Sequence, residues 1–192
     1  MPASRPAPEA PLTAASDEER LIEAARGRDE VAWSTIFSEN FDALYRYAFY
    51  QTGDRTGSEE IAAQVFEEAL RGIKKFQYRG VSLRAWLFRI ARNLIADEFA
   101  RKAKMRQTGL QETRSESDEL AETATEHELL QALSVLPDDQ QQVVSLTLLE
   151  DLPARDCAEV MGKTVREVHA LQLKALRQLR AAVEEPERRV AS

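Results

Sequence analysis

The stretch LPARDCAEVMGKTVREVHALQLKALRQLR, Leu152 to Arg180, divides at Gly162 into a short amphipathic segment and a longer one. Pro153 suits a first helical turn, where its missing N–H would have no partner and its fixed φ is already helical. Ala158 is small where two helices must cross, and Gly162 can take the positive φ that a tight turn demands. Val160, Met161, Val165, Val168 and Leu171 are then available for a shared core. The spacing predicts a helix-turn-helix whose second helix starts near Thr164. Laid in a major groove, that helix offers Lys163, Thr164, Arg166, His169, Gln172 and Lys174 to bases or phosphates. Taken alone, the same pattern also describes an ordinary helical hairpin.

Working outward, Leu129, Leu130, Leu133 and Leu136 make a short helix ending at Pro137. Asp138 can cap the next, which places Val143, Val144, Leu146, Leu148 and Leu149 inside. Before this module, Gln107 to Ala124 is rich in charge, Ser and Thr, a linker composition. Further upstream, LRAWLFRIARNLIADEF (Leu83 to Phe99) is amphipathic. Leu83, Trp86, Leu87, Ile90, Leu94 and Ile95 face a core, while Arg84, Arg89, Arg92 and Asn93 face outward. A loop through Gln77, Tyr78, Arg79 and Gly80 precedes it. Ser58 can cap a helix with Ile61, Val65, Phe66, Ala69 and Leu70 on one face and Glu59, Glu60, Gln64, Glu67 and Glu68 on the other. Gly53 and Gly57 bracket the preceding turn. Asp29 opens a helical stripe of Val31, Ile36, Phe37, Phe41, Leu44, Tyr45, Ala48 and Phe49. Ser16 with Glu19 is a capping-box pattern for a first helix ending near Gly27. The Pro-, Ala- and Ser-rich residues before it have too little apolar surface to offset the entropy of ordering.

Abundant Ala, Leu, Glu and Arg with only seven Gly and seven Pro in 192 residues favour helix over sheet. The fold class expected is all-α: two small helical domains joined by a flexible linker. The boundaries are a leader at 1–15, a first domain at 16–104, an acidic linker at 105–125, a second domain at 126–184 and a tail at 185–192.

The net charge of −7 hides a strong asymmetry. Between Arg71 and Arg106, eleven basic residues face only Asp97 and Glu98, a net +9, whereas Gln107 to Glu128 carries a net −6. A cationic segment is what a polyanion requires, so the total charge does not argue against nucleic acid.

Cys157 is the only cysteine and excludes an internal disulfide. With His127 and His169 it forms no metal-ligand spacing, and a reducing cytoplasm fits best. The apolar runs are too short to span a membrane, and the N-terminus lacks a secretion pattern. No Gly-rich phosphate loop, nucleophile elbow, zinc spacing or carboxylate pair is present. The expectation is therefore no catalytic residue, no metal, no cofactor and no enzyme.

Two blocks together are more specific than either alone. SEEIAAQVFEEAL through FQYRGVSLRAWLFRIARNLIADEF, from Ser58 to Phe99, precedes an acidic linker and then LPDDQQQVV through LKALRQLR, from Leu136 to Arg180. In this order the chain resembles a bacterial sigma factor of the extracytoplasmic function group, in the sigma-70 family, which keeps only sigma regions 2 and 4. The resemblance implies binding of core RNA polymerase through its β and β′ subunits, promoter recognition and DNA melting, in the cytoplasm. It assigns Glu59, Glu60, Gln64 and Glu67 to a coiled coil of β′, although Ala63-Gln64 stands where the family usually has Gln-Glu.

Tyr78, Arg79, Ser82, Arg84, Arg89, Arg92 and Asn93 are assigned to a flipped base and the melted strand of the −10 element, with Trp86 in the core. The six residues from Lys163 to Lys174 named above would read the −35 element. Here His169 and Leu171 stand where many relatives are basic. The linker would thread toward the polymerase active site, and an anti-sigma partner is implied. A stand-alone helix-turn-helix regulator and a helical adaptor are the rival readings.

Overall fold

The second helix shows how sequence sets an element's ends. The Asp29 carboxylate accepts from the Ala32 N–H at 2.8 Å, supplying one amide that the helix cannot pair itself, and Gly53 closes the other end at φ 65°. This computed structural model describes residues 13–78, 81–107 and 124–190, and among them the chain is helical with no strand. Arg79 and Gly80, the first twelve residues and 108–123 lie outside the described residues. So does most of the expected linker.

The elements are α1 (Thr13–Arg26), α2 (Glu30–Thr52), α3 (Arg55–Gly72), a 3-10 turn (Ile73–Lys75), α4 (Leu83–Gln107), α5 (Ala124–Ser134), α6 (Asp138–Val144), a π-helical turn (Ser145–Leu149), α7 (Ala154–Met161) and α8 (Val165–Val190). Helices α1 to α4 make the first module, with α2 packed on α3 and α4. Helices α5 to α8 make the second. The buried side chains of both form one continuous apolar cluster, because α7 lies on α4.

Several expected details shift for local reasons. Helix α1 is already running at Thr13, so Ser16 lies inside it rather than capping it. Asp54, not Ser58, caps α3, accepting from Gly57 N at 2.9 Å. Ser58 is buried within the helix and donates to the Asp54 carbonyl, while Gly57 sits in the first turn. Asp138 is the first residue of α6 rather than its cap. Of the expected core stripes, Val31, Phe37, Leu70, Leu148 and Val165 are exposed. Trp86 and Cys157 are buried as expected.

The helix-turn-helix closes as its sequence requires. Gly162 takes φ 64°, and its N–H donates to the Ala158 carbonyl. Thr164 and Glu167 then cap α8 reciprocally. The Thr164 N–H donates to the Glu167 carboxylate at 2.7 Å, and the Glu167 N–H to the Thr164 hydroxyl at 3.2 Å. Hydrogen bonds from Thr164 hold the Glu167 carboxyl below the usual range.

Candidate nucleic-acid and polymerase interface

Helix α3 presents Glu59, Glu60, Gln64 and Glu67 to solvent together, because its buried residues Ile61, Ala62, Val65 and Ala69 face α2 and α4. Beside this acidic face lies an aromatic cluster missed in the sequence. Phe37 stacks on Phe41 at 4.9 Å between ring centroids and meets Phe66 at 4.8 Å, with Leu70 exposed nearby on α3. Exposed apolar groups rimmed by polar residues are a composition that docking faces share. The signal was available: Phe37 and Phe66 are large apolar residues at the edge of their stripes.

The loop into α4 is held by α1. The Glu18 carboxylate accepts from Leu83 N at 2.6 Å, and Arg26 donates to the Phe76 carbonyl at 2.6 Å. Tyr78 lies beside Glu18, and burial together with that charge raises its hydroxyl pKa. Tyr78 and Gln77 also line an open cleft of about 780 Å³ with Glu19, Arg20, Ile22, Glu23 and Arg26. Phe76 stacks on Trp86 at 4.8 Å, which fixes the loop's exit on the core and leaves Trp86 no role at the surface.

On α4 the candidates separate into two groups. Arg89 and Asn93 are exposed, as expected. Ser82, Arg84 and Arg92 instead turn toward the second module. Ser82 donates to Asp156, Arg84 donates to the Glu150 carbonyl at 2.9 Å, and Arg92 donates to Gln142 at 3.0 Å. The physical reason is that α4 is apolar on two sides. Leu83, Trp86, Leu87 and Ile90 are buried as the spacing predicts, while Ala85, Phe88 and Ala91 are equally buried, Phe88 against Tyr47 of α2 with the Arg84 guanidinium over its ring.

In the second module, Thr164, Arg166, His169 and Lys174 are exposed on the first turns of α8, and Gln172 is half-buried beside them. Lys163 is drawn aside to Asp139 at 3.0 Å, anchoring the turn to α6. The arrangement can present a row of polar groups to a groove while Val168 and Ala175 hold the helix to the module.

Residues 36–105 match the family model for sigma-70 region 2, and residues 126–179 match that for sigma-70 region 4. The chain is 33% identical over 166 residues to the ECF RNA polymerase sigma factor BldN of Streptomyces coelicolor, covering 83% of this chain and 63% of that longer protein. The chain belongs to the sigma-70 family, in its extracytoplasmic function group. The sigma factor is also 26% identical over 142 residues to the RNA polymerase sigma factor YlaC of Bacillus subtilis, covering 70% of this chain and 82% of that protein. Its fold is shared with CnrH, solved in complex with the cytosolic domain of CnrY, at a TM-score of 0.70 and 20% identity over 88% of this chain and 97% of that one. It is shared too with RpoE of Bartonella quintana, solved in complex with the anti-sigma factor NepR, at 0.66 and 18% over 79% and 96%. Sigma factors bind core RNA polymerase and direct it to promoters. Among the described residues no helix is long and apolar enough to cross a membrane.

Proposed function

We propose that this sigma factor binds core polymerase through the acidic face of α3, grips the opened −10 strand with α4 and its preceding loop, and reads the −35 duplex with the start of α8. The carrying observation is the order of parts on one chain. A helix whose exposed side bears Arg89 and Asn93 lies within the region 2 match, and a helix-turn-helix lies within the region 4 match. A stand-alone regulator has no use for the first part. Glu59, Glu60, Gln64 and Glu67 meet a basic surface of β′, and the Phe37, Phe41 and Phe66 cluster supplies the apolar area that charges alone do not.

The domains run over 16–104 and 126–184, with 105–125 as linker. Tyr78, Arg79 and Ser82 line the approach to the flipped base, the 780 Å³ cleft beside Tyr78 gives it room, and Arg84, Arg89, Arg92 and Asn93 hold the strand. Lys163, Thr164, Arg166, His169, Gln172 and Lys174 contact the −35 groove. The protein works in the cytoplasm as a binding factor, without catalysis or cofactor. An anti-sigma partner restrains it, as the complexes solved for its structural relatives support.

Transcription with sigma-free core polymerase on genomic templates tests the reading. The full chain gives promoter-dependent transcripts, and Arg89→Glu loses open complexes while still binding core. Arg89 is the right probe because it is exposed. Unchanged transcription from R89E would remove α4 from strand binding.

A further inference from the structure

The residues assigned above to the −35 groove are all polar, yet a leucine stands on the outermost side of α8. Leu173 is 57% exposed, the highest of any leucine among the described residues. Val168 and Ala175, which seat α8 on its module, are fully buried. A helix turns through about 100° per residue, so Leu173 points about 140° away from Val168 and about 160° away from Ala175.

The line along that outer side reads Arg166, Ala170, Leu173 and Arg177, spaced four, three and four residues apart, and all of them are exposed. Between Thr164 and Arg180 the charged residues are Arg166, Glu167, Lys174, Arg177 and Arg180. Glu167 is turned back into the helix cap, where its carboxylate accepts from the Thr164 N–H and hydroxyl, both at 2.7 Å. The leucine thus sits between guanidinium groups on a line whose charge is positive. Such a surface fits a polyanion better than it fits an apolar protein face, against which Arg166 and Arg177 would be desolvated without a counter-charge.

Chemistry narrows what Leu173 can meet in a major groove. Its side chain neither donates nor accepts a hydrogen bond. Against guanine N7 and O6, adenine N7 and N6 or the cytosine amino group, it removes water and returns nothing. The thymine C5 methyl is the apolar group of that groove. Arg166 lies seven residues earlier, about 10 Å along the axis or roughly three base-pair steps. One helix therefore holds a guanine or a phosphate with Arg166 while its leucine covers a base further along.

We propose that Leu173 is a specificity-determining residue of the −35 contact, selecting a thymine by covering its C5 methyl. The inference rests on the assignment of α8 to the −35 duplex made above, and adds which feature of the base pair is read and by which side chain. Two modified bases isolate the methyl. Deoxyuridine pairs as thymine does and lacks only that group, whereas 5-methylcytosine carries it on a G·C pair.

The experiment uses holoenzyme assembled from the full chain and sigma-free core polymerase. Transcript mapping on genomic templates supplies a promoter. Each thymine of its −35 element is then replaced singly by deoxyuridine in a synthetic duplex that competes with the unmodified one. At one thymine the parent loses about fourfold in affinity, the worth of one buried methyl-sized group. At the same position the parent prefers 5-methylcytosine to cytosine. Leu173→Ala binds the unmodified duplex less tightly and distinguishes neither pair of bases there, while it responds as the parent does to changes elsewhere in the element. Leu173→Met, apolar and similar in volume, keeps the discrimination. Because Leu173 is exposed, its truncation removes no core contact, and equal thermal melts of parent and variants check this.

A −35 element whose thymines all tolerate deoxyuridine overturns the inference, as does a methyl effect of the same size in L173A; both leave the assignment of α8 standing. Transcription indifferent to scrambling of the −35 element, with the −10 element kept, overturns that assignment itself, and the inference falls with it.

Discussion

Cys157 illustrates how one side chain reports on its surroundings. It is fully buried on α7, its thiol within reach of Met161 Sδ at 3.6 Å, and burial pushes the thiol up to about 12. Tyr47, also fully buried, has its hydroxyl raised by burial, partly opposed by the charge of Arg92. Because only the thiolate attacks alkylating agents, the native chain reacts with iodoacetamide at pH 8 more slowly than the urea-unfolded chain, by about a hundredfold or more. Mass spectrometry after timed quenching measures the ratio, and equal rates would show the thiol accessible. The inward position of Cys157 was legible in sequence because a short amphipathic helix has one apolar side. Glu150 was not. Helical spacing gives a glutamate after Leu148 and Leu149 no reason to be buried, and its burial depends on residues about a hundred positions earlier in the chain.

At the scale of elements, the sequence is most informative where the determinants are local. The turn at Gly162 depends on a backbone conformation that glycine reaches without steric cost, and a Cβ added there would touch nothing within 4 Å. The whole penalty of Gly162→Ala is therefore conformational. It destabilises the second module by about 1 kcal/mol, and Gly162→Asn costs less because asparagine tolerates the left-handed region. Urea denaturation followed by circular dichroism orders the three proteins Gly, Asn, Ala; an alanine variant as stable as the parent would remove the turn's strain from the account. The Thr164 and Glu167 box is equally local, a Thr-x-x-Glu pattern at the start of α8. Helix α4 shows the opposite limit. Its first apolar side follows the 3.6-residue repeat, but the burial of Ala85, Phe88 and Ala91 depends on tertiary packing, Phe88 meeting Tyr47 of α2 while α7 lies on α4. Helical spacing therefore predicts the exposure of Arg89 and Asn93 but not the engagement of Ser82, Arg84 and Arg92 by Asp156, Glu150 and Gln142.

For the whole molecule, the pairing of Glu150 with Arg46 and Arg84 makes the contact between the two modules depend on protonation. Burial raises the Glu150 carboxyl above its ordinary value, against the opposing hydrogen bond and charge of Arg46 and the charge of Arg84, with Asp151 raising it further. Tyr50 also faces the site, its own hydroxyl raised chiefly by burial and next by the Glu150 charge. Once the modules part, Glu150 is in water and titrates normally. The closed state therefore holds the proton more tightly than the open one. Its advantage is complete below the ordinary carboxylate pKa and is lost as pH rises through the raised value. With donor and acceptor dyes on Glu39→Cys and Gln178→Cys, exposed sites in separate modules, energy transfer rises as pH is lowered toward the ordinary carboxylate range. Glu150→Gln, which cannot ionise, removes that part of the slope. Arg46→Ala steepens it, because the strongest influence holding the pKa down is gone. Other carboxylates contribute to the total profile, so the decisive quantity is the difference between the parent and E150Q. Identical slopes in the two would mean that Glu150 stays ionised throughout and that burial does not outweigh its arginine partners.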